Sequence, residues 1–262
     1  MRSSTAVTGE AMTTSKRKGD YGYDGSFHTI SAGGQLAGVG AVSAALFAGA
    51  GFALTRRNRL AAALAASSAL EVLATAASYI YATRSGKFRA WDDVLDNLRL
   101  RGDETVLDLG CGRGAVLLAA AKRLPRGRAI GVDLWRADQT ENSQQATLSN
   151  AALENVLERA EVHTADMTAL PLGDESVDVI VSSLAIHNIP THAGRRKALN
   201  EAVRVLRPGG RLAIADMWET RRHAAHLREL GWINVRRRNL GWRMWYGGPW
   251  ASTRLVTATK PA

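Results

Sequence analysis

From Gln35 to Leu54 the chain runs twenty residues without a charge, breaks at the polar Thr55–Arg59, and turns apolar again over Leu60–Ala82, interrupted only by Glu71. A helix of either length spans the roughly 30 Å hydrocarbon core of a bilayer, so the pattern predicts a membrane-spanning hairpin. Both stretches are built mostly from Ala and Gly, and Gly34-x-x-x-Gly38 predicts close packing of the two helices. Residues 1–28 before them are rich in Ser, Thr, Gly and charge without apolar periodicity, which predicts a disordered tail.

Beyond residue 88 the period changes. Arg89–Leu100 places Trp91, Val94, Leu95 and Leu98 on one face of an amphipathic helix. Short apolar runs then read as buried strands: Val106–Leu109, Ala129–Val132, Ala160–Thr164, Val177–Ser182 and Arg211–Ala215. Helical stretches alternate with them at 115–124, Gln144–Arg159, Ala193–Val205 and His223–Leu230. Arg207-Pro208-Gly209-Gly210 is a stop with a turn built in. Ile233–Asn239 and Ser252–Thr259, joined through Gly247-Gly248-Pro249, read as a closing antiparallel pair. Strands alternating with helices predict an α/β fold on a seven-stranded, mostly parallel sheet. The expected organisation is a tail (1–28), a two-helix hairpin (35–82) and a catalytic domain (88–262).

Composition narrows the setting. Cys111 is the single cysteine, so no intrachain disulfide is possible; a Cys-based metal site is not expected, no metal is predicted, and a reducing, cytosol-facing domain fits. The formal net charge is +10, and from Arg195 onward fifteen Lys and Arg face four acids, so the surplus sits in the last quarter. Around the hairpin, Arg2, Lys16, Arg17, Lys18, Arg84, Lys87 and Arg89 flank the outer ends, against Arg56, Arg57 and Arg59 in its loop. The positive-inside bias then places both ends of the hairpin in the cytosol, with the protein at the cell membrane and its catalytic domain in the cytoplasm. An Ala-rich helical pair lying on the catalytic domain is the alternative.

The chemistry is concentrated in residues 105–133. The first strand breaks into Gly110-Cys111-Gly112-Arg113-Gly114, a helix follows, and the second strand ends at Asp133. Glycines at a helix N-terminus admit a ligand to the backbone, and a carboxylate after the second strand suits ribose hydroxyls. The spacing is G-x-G-x-G rather than the dinucleotide G-x-G-x-x-G, and Asp108 stands two residues before the first glycine. A carboxylate there repels pyrophosphate and suits a ligand carrying an ammonium and a sulfonium, which points to S-adenosyl-L-methionine.

This set of motifs resembles the class I S-adenosylmethionine-dependent methyltransferases, over about Trp91 to Lys260. The resemblance implies a Rossmann-like sheet whose C-terminal strand is antiparallel. It implies that Asp108, Gly110, Cys111, Gly112 and Gly114 hold the methionine part of the cofactor. Asp133 would take the ribose with Leu134 beside the adenine, Asp166 would meet the adenine amino group with Met167 on the ring, and Ser183 completes the expected cofactor set. The stretch Asp166–Asp178 followed by Arg204–Gly210 resembles most the subgroup acting on small molecules, including quinone-biosynthesis and sterol methyltransferases. The connection after Asp133 is longer than the family usually shows, a departure expected to shape the substrate or ribose pocket.

Methyl transfer from a sulfonium is an in-line displacement, in which alignment and removal of a proton are what the protein supplies. His187 and Asp216, following strands four and five, are the candidate catalytic residues, because substrate-facing groups in open α/β sheets lie beyond the C-terminal strand ends. The bland reading of His187 is a structural histidine bonded to a loop. Cys111 reads as loop filling, His163 as structural, and Arg236–Arg238 as a solvated strand edge. Trp232, Trp242, Trp245 and Trp250 read as core and pocket wall, or as an interfacial belt. Three functions compete: a membrane-anchored methyltransferase with a small lipophilic substrate, an RNA methyltransferase using its basic C-terminal surface, and a non-catalytic cofactor-binding protein. The Asn/Asp-Pro-Pro-aromatic signature of amine-methylating enzymes is absent after strand four, which argues against nucleic acid as partner.

Overall fold

A computed structural model describes residues 17–25, 30–136 and 139–262. Two long helices come first, α1 (Ala32–Thr55) and α2 (Arg59–Tyr81). Asn58 caps α2 by accepting a hydrogen bond from the Ala61 amide, and Arg57 takes a left-handed φ of 59° in the turn. Their apolar surfaces are largely open: Phe52, Leu54, Leu60, Leu64 and Leu70 are each at least 59% exposed.

The expected boundary between hairpin and domain falls inside a continuous helix. A π-helical turn, Ala82–Gly86, carries α2 directly into α3 (Lys87–Leu98), and the rod runs 40 residues from Arg59 to Leu98. The amphipathic helix read at Arg89–Leu100 therefore starts earlier and stops two residues sooner, where Arg99 turns left-handed. Its buried face carries Trp91, Val94, Leu95 and Leu98, as the spacing predicts.

The sheet follows. Its strands are β1 (Thr105–Leu109), β2 (Arg128–Asp133), β3 (Ala160–Thr164), β4 (Val177–Ser183), β5 (Leu206–Asp216), β6 (Ile233–Asn239) and β7 (Arg254–Thr259). They lie in the order β3-β2-β1-β4-β5-β7-β6, the first five parallel and β7 antiparallel to both β5 and β6. The helices between them are α4 (Ala115–Lys122), α5 (Gln144–Leu153), α6 (His192–Val205) and α7 (Thr220–Glu229). Alternate residues of the central strands feed two cores. Val106, Val179, Val181 and Ala213 face α3 and α4, whereas Leu107, Ile180, Leu212 and Ile214 face α6 and α7.

Three expectations are corrected. The helix read at Gln144–Arg159 ends at Leu153, because Asn155 adopts φ 58° and reverses the chain into a short 3-10 turn before β3. Strand β5 begins at Leu206, directly after α6, so the Pro-Gly-Gly turn lies within the strand. The disordered tail is overturned at 17–25. The amides of Lys18 and Gly19 each donate to Glu154 at 2.9 Å, Asn150 exchanges hydrogen bonds with the Asp20 backbone, and Tyr23 exchanges a pair with Thr140. Tyr21 is buried, its ring edge-on to Phe88 at 5.1 Å and its hydroxyl on Glu154. Burial and the adjacent Glu154 carboxylate push that phenol far above its ordinary value. The rest of the expected tail, 1–16 and 26–28, lies outside the described residues.

At the junction of α2 and α3 the C-terminal loop rests on the rod. A side chain at Gly86 would drive into the Arg243 carbonyl. In an open helix, Gly→Ala stabilises by up to about 1 kcal/mol; Gly86→Ala is expected to reverse that sign and destabilise by about 1–3 kcal/mol through overpacking. Urea unfolding of the two proteins checks the sign, and faster proteolysis within 241–251 checks the location.

Candidate active site

The first strand delivers Asp108 to the sheet's C-terminal end, where the chain leaves the sheet through the glycine loop. Gly110 and Cys111 both donate their amides to the Val132 carbonyl, at 2.8 and 3.1 Å, which folds the loop back over β2. Gly110 has a φ of 73°, and a side chain there would collide with Ala185 across the cleft. Gly112 has a φ of 51° and abuts the Gln139 amide oxygen, so two faces of the loop are pressed against neighbours at conformations that favour glycine.

Around this loop a cleft opens at the sheet's C-terminal edge, the place open α/β sheets reserve for ligands. Asp108, Gly110, Cys111, Gly112, Asp133, Leu134, Asp166, Met167 and Ser183 all line it. Gly114, also expected to bind the cofactor, is not among the lining residues. It takes φ 87° as the residue before α4 and faces Leu118 and Thr147.

Two carboxylates dominate the cleft's electrostatics. Asp108 is 1% exposed, and its Oδ1 has no hydrogen-bond partner among the described residues. Burial, with a smaller contribution from Asp133, pushes its pKa up to about 8. The Asp133 carboxylate accepts the Gly112 amide at 2.8 Å and the Trp135 amide at 2.7 Å, with burial raising its pKa as well. A buried, unpartnered carboxylate oxygen costs free energy until a donor reaches it. An ammonium group fits that need, and an anionic pyrophosphate does not. Cys111 is buried with its thiol pushed well above the usual range, which suits packing and not nucleophilic attack.

Comparison with known proteins agrees with this geometry. Residues 107–214 match the family described as methyltransferase domain. The arsenite methyltransferase of Halobacterium salinarum is 37% identical over 118 residues, covering 45% of this chain and 28% of that protein. The ubiquinone/menaquinone biosynthesis C-methyltransferase of Dinoroseobacter shibae is 36% identical over 132 residues, half of each chain. The chain thus spans half or less of the length of these curated relatives. In fold, the domain is similar to a SAM-dependent methyltransferase from Aquifex aeolicus, with TM-score 0.52 and 22% identity over 64% of this chain and 88% of the other. It is also similar to the [4+2]-cyclase SpnF, with TM-score 0.53 and 19% identity over 65% of this chain and 81% of the other.

Residues 107–214 thus carry a methyltransferase domain, on a fold shared with S-adenosylmethionine-dependent methyltransferases. The two expected catalytic residues are brought together, but neither is among the residues that line the cleft. Asp216 ends β5 fully buried, and its carboxylate accepts both the His187 ring at Nδ1, in a short contact, and the His187 amide at 3.0 Å. The Met217 amide adds a third bond at 2.8 Å. His187 itself sits in a 3-10 turn after β4, its ring edge-on to the exposed Trp218 at 5.0 Å. Neither residue lines the cleft, whereas Asn188, Ile189 and Pro190 directly after His187 do. Donation from Nδ1 to Asp216 leaves Nε2 as the ring's basic nitrogen.

The methyltransferase domain also draws on residues that the sequence did not single out. Asp24, Lys87, Arg136 and Gln139 line the cleft. Lys87 is 4% exposed and its ammonium bonds both oxygens of Asp24, at 2.8 and 3.0 Å. The same carboxylate accepts from Gln139 at 3.1 Å, Thr83 at 3.1 Å and the Tyr246 hydroxyl at 2.9 Å. Trp91 reaches from α3 to donate its indole N–H to Ser183 at 2.9 Å. Gln139 lies in the long connection after Asp133, and that extra length was the one signal pointing to it.

Because the folded protein holds Asp108 protonated more tightly than the unfolded chain does, stability from this group is full below about pH 4, the ordinary carboxyl range. It is then lost as pH rises toward about 8. Urea midpoints of the ligand-free protein are expected to fall across this window, and Asp108→Asn to flatten that slope.

Proposed function

We propose that this chain is an S-adenosylmethionine-dependent methyltransferase, held at a membrane by α1 and α2 and acting on a small, lipophilic organic acceptor. The observation that carries the reading is the orphaned, buried Asp108 carboxylate facing the glycine loop, with Asp133 beside it. The pair selects a cationic nucleoside over an anionic dinucleotide. Asp108 would hold the ammonium, Asp133 the ribose hydroxyls through its remaining lone pairs, and Asp166, Met167 and Leu134 the adenine. When bound, the cofactor supplies an electrophilic methyl group on sulfur. The chain's part is to align the acceptor with that methyl and take up any proton the acceptor releases. His187, fixed at Nδ1 by buried Asp216, is the base that would receive it at Nε2. The relatives named for quinone and arsenite methylation support a small-molecule acceptor.

The membrane reading is supported by the openness of the hairpin. Only 11% of the most apolar window of each long helix is buried inside the protein. Aromatic groups meet where the hairpin joins the domain: Tyr81 stacks on Trp242 at 4.8 Å, with Trp242 57% exposed, and Tyr79 lies edge-on to Tyr246. Such a belt suits the headgroup layer. Against a nucleic-acid partner, eight of the fifteen C-terminal cations, including Arg204, Arg207, Arg211 and Arg243, are ion-paired with carboxylates of the same chain.

Calorimetric titration of the full chain in detergent is expected to show binding of S-adenosylmethionine and none of NAD. Asp108→Ala and Asp133→Ala should each weaken it by about 10–150-fold, the worth of a hydrogen bond to a charged group. Binding of NAD instead would overturn the reading.

His187→Gln is expected to leave cofactor affinity within twofold and to lower methyl transfer into a membrane extract by about 10²–10⁴-fold. Unchanged turnover in that variant would assign His187 a structural role.

A further inference from the structure

Between α1 and α2 lies a second cavity, of about 530 Å³. Leu36 and Val39 of α1 and Val72 and Ala76 of α2 wall it, and Tyr23 and Tyr246 close it from the side of the methyltransferase domain. Gly247 sits within 3.4 Å of Thr75 when given a Cβ, so the C-terminal loop fits closely against α2 there.

This cavity and the cofactor cleft share a single layer of chain. Tyr23 lines the cavity and the next residue, Asp24, lines the cleft. Tyr246 lines the cavity while its hydroxyl bonds the Asp24 carboxylate at 2.9 Å. Tyr79 lines it too, with its hydroxyl on the Asp24 carbonyl at 2.7 Å and its ring edge-on to Tyr246 at 6.3 Å. The partition is therefore made of amphipathic groups, with rings toward the hairpin and polar atoms toward the cleft.

The one acidic residue of the hairpin stands at the cavity's open side, exposed at the helix surface. Glu71 lines it, ten residues before the end of α2, and its carboxylate has no hydrogen bond or ion pair among the described residues. A carboxyl group at that depth in a bilayer is costly unless it meets a partner. Gln35, Ser68 and Thr75 are the other non-aromatic polar residues of the lining, and no cation lines the cavity.

We propose that this cavity holds the apolar body of the methyl acceptor, an amphipathic lipid that enters between α1 and α2 and passes its polar head over Tyr246 and Asp24 into the cofactor cleft. The inference rests on the methyltransferase reading above. The carboxyl groups along this route, Glu71 in the cavity and Asp24 at the cleft, set the class of ligand: a neutral or cationic lipid that donates a hydrogen bond is favoured over a fatty acid. The volume, the shared partition and the orphaned carboxyl each point to the same occupant.

The test uses the full chain in phosphatidylcholine nanodiscs with a diazirine-bearing hexadecanol as probe and the matching fatty acid as comparison. Photolabelling mapped by mass spectrometry is expected within 32–39 and 68–79, with the alcohol labelling at least fivefold more than the acid. Val72→Trp, which fills the cavity, should reduce this labelling at least fivefold. Val42→Trp, on a side chain 52% exposed, should leave it unchanged. Methyl transfer into a lipid extract should fall at least tenfold in Val72→Trp while S-adenosylmethionine affinity, which reports folding, stays within twofold. Labelling that ignores Val72→Trp, that spreads evenly over the outer helix faces, or that is replaced by crosslinks between two copies of the chain overturns the proposal. Intact cofactor binding with cavity-insensitive labelling sinks this inference alone, whereas wild-type protein that fails to bind S-adenosylmethionine sinks the methyltransferase reading itself.

Discussion

The buried ion pair of Lys87 and Asp24 is the constraint around which the molecule is assembled. An ammonium that is 4% exposed must be paired and hydrogen-bonded, and its partner arrives from a segment sixty-three residues earlier. Meeting that demand brings four parts of the chain to one point. The N-terminal segment supplies Asp24, the helical rod supplies Lys87 and Thr83, the loop after β2 supplies Gln139, and the C-terminal loop supplies Tyr246. The same point is a wall of the cleft around the glycine loop. An interaction that ties hairpin to domain thus also fixes the shape of the site.

The continuous rod Arg59–Leu98 has a mechanical consequence. A hairpin joined to its domain by a flexible linker would leave the cleft free to turn relative to the hairpin. Here the helix that presents Leu60 and Leu64 outward also buries Trp91, whose indole holds Ser183 at the cleft. Orientation of the site is therefore set by helix geometry, and the π turn at Ala82–Gly86 accommodates the change from an apolar to an amphipathic surface.

Charge is distributed with similar economy. The chain is strongly basic, yet four carboxylates, Asp24, Asp108, Asp133 and Asp166, line the cleft against two cations, Arg136 and Lys87, the latter held by Asp24. Many C-terminal cations are turned toward carboxylates of their own domain, so net charge and the charge of the cleft differ in sign. The His187–Asp216 pair follows a different logic. It is built by two strand ends that become neighbours only because β4 and β5 pair in parallel.

Much of the fold is legible in the order of residues alone. Short apolar runs, the 3.6-residue period and motif spacing are local signals, and from them come the seven strands, the helix faces and the glycine loop with Asp108 and Asp133. The long-range order was not local. Residues 17–25 carry no periodicity because their hydrogen bonds go to Glu154, Asn150 and Thr140, each more than a hundred residues away. The helical pair and α3 were read as separate because an abrupt change of polarity resembles a break, although the backbone hydrogen bonds continue through it. By itself the sequence determined the fold class, the cofactor motif and the two apolar helices, since these follow from spacing and composition. The tertiary structure alone decided that Asp24, Lys87 and Gln139 wall the cleft, that Gly114 and the His187–Asp216 pair stand outside it, and that a cavity in the hairpin adjoins it. Those outcomes depend on which distant polar groups must find each other once they are buried.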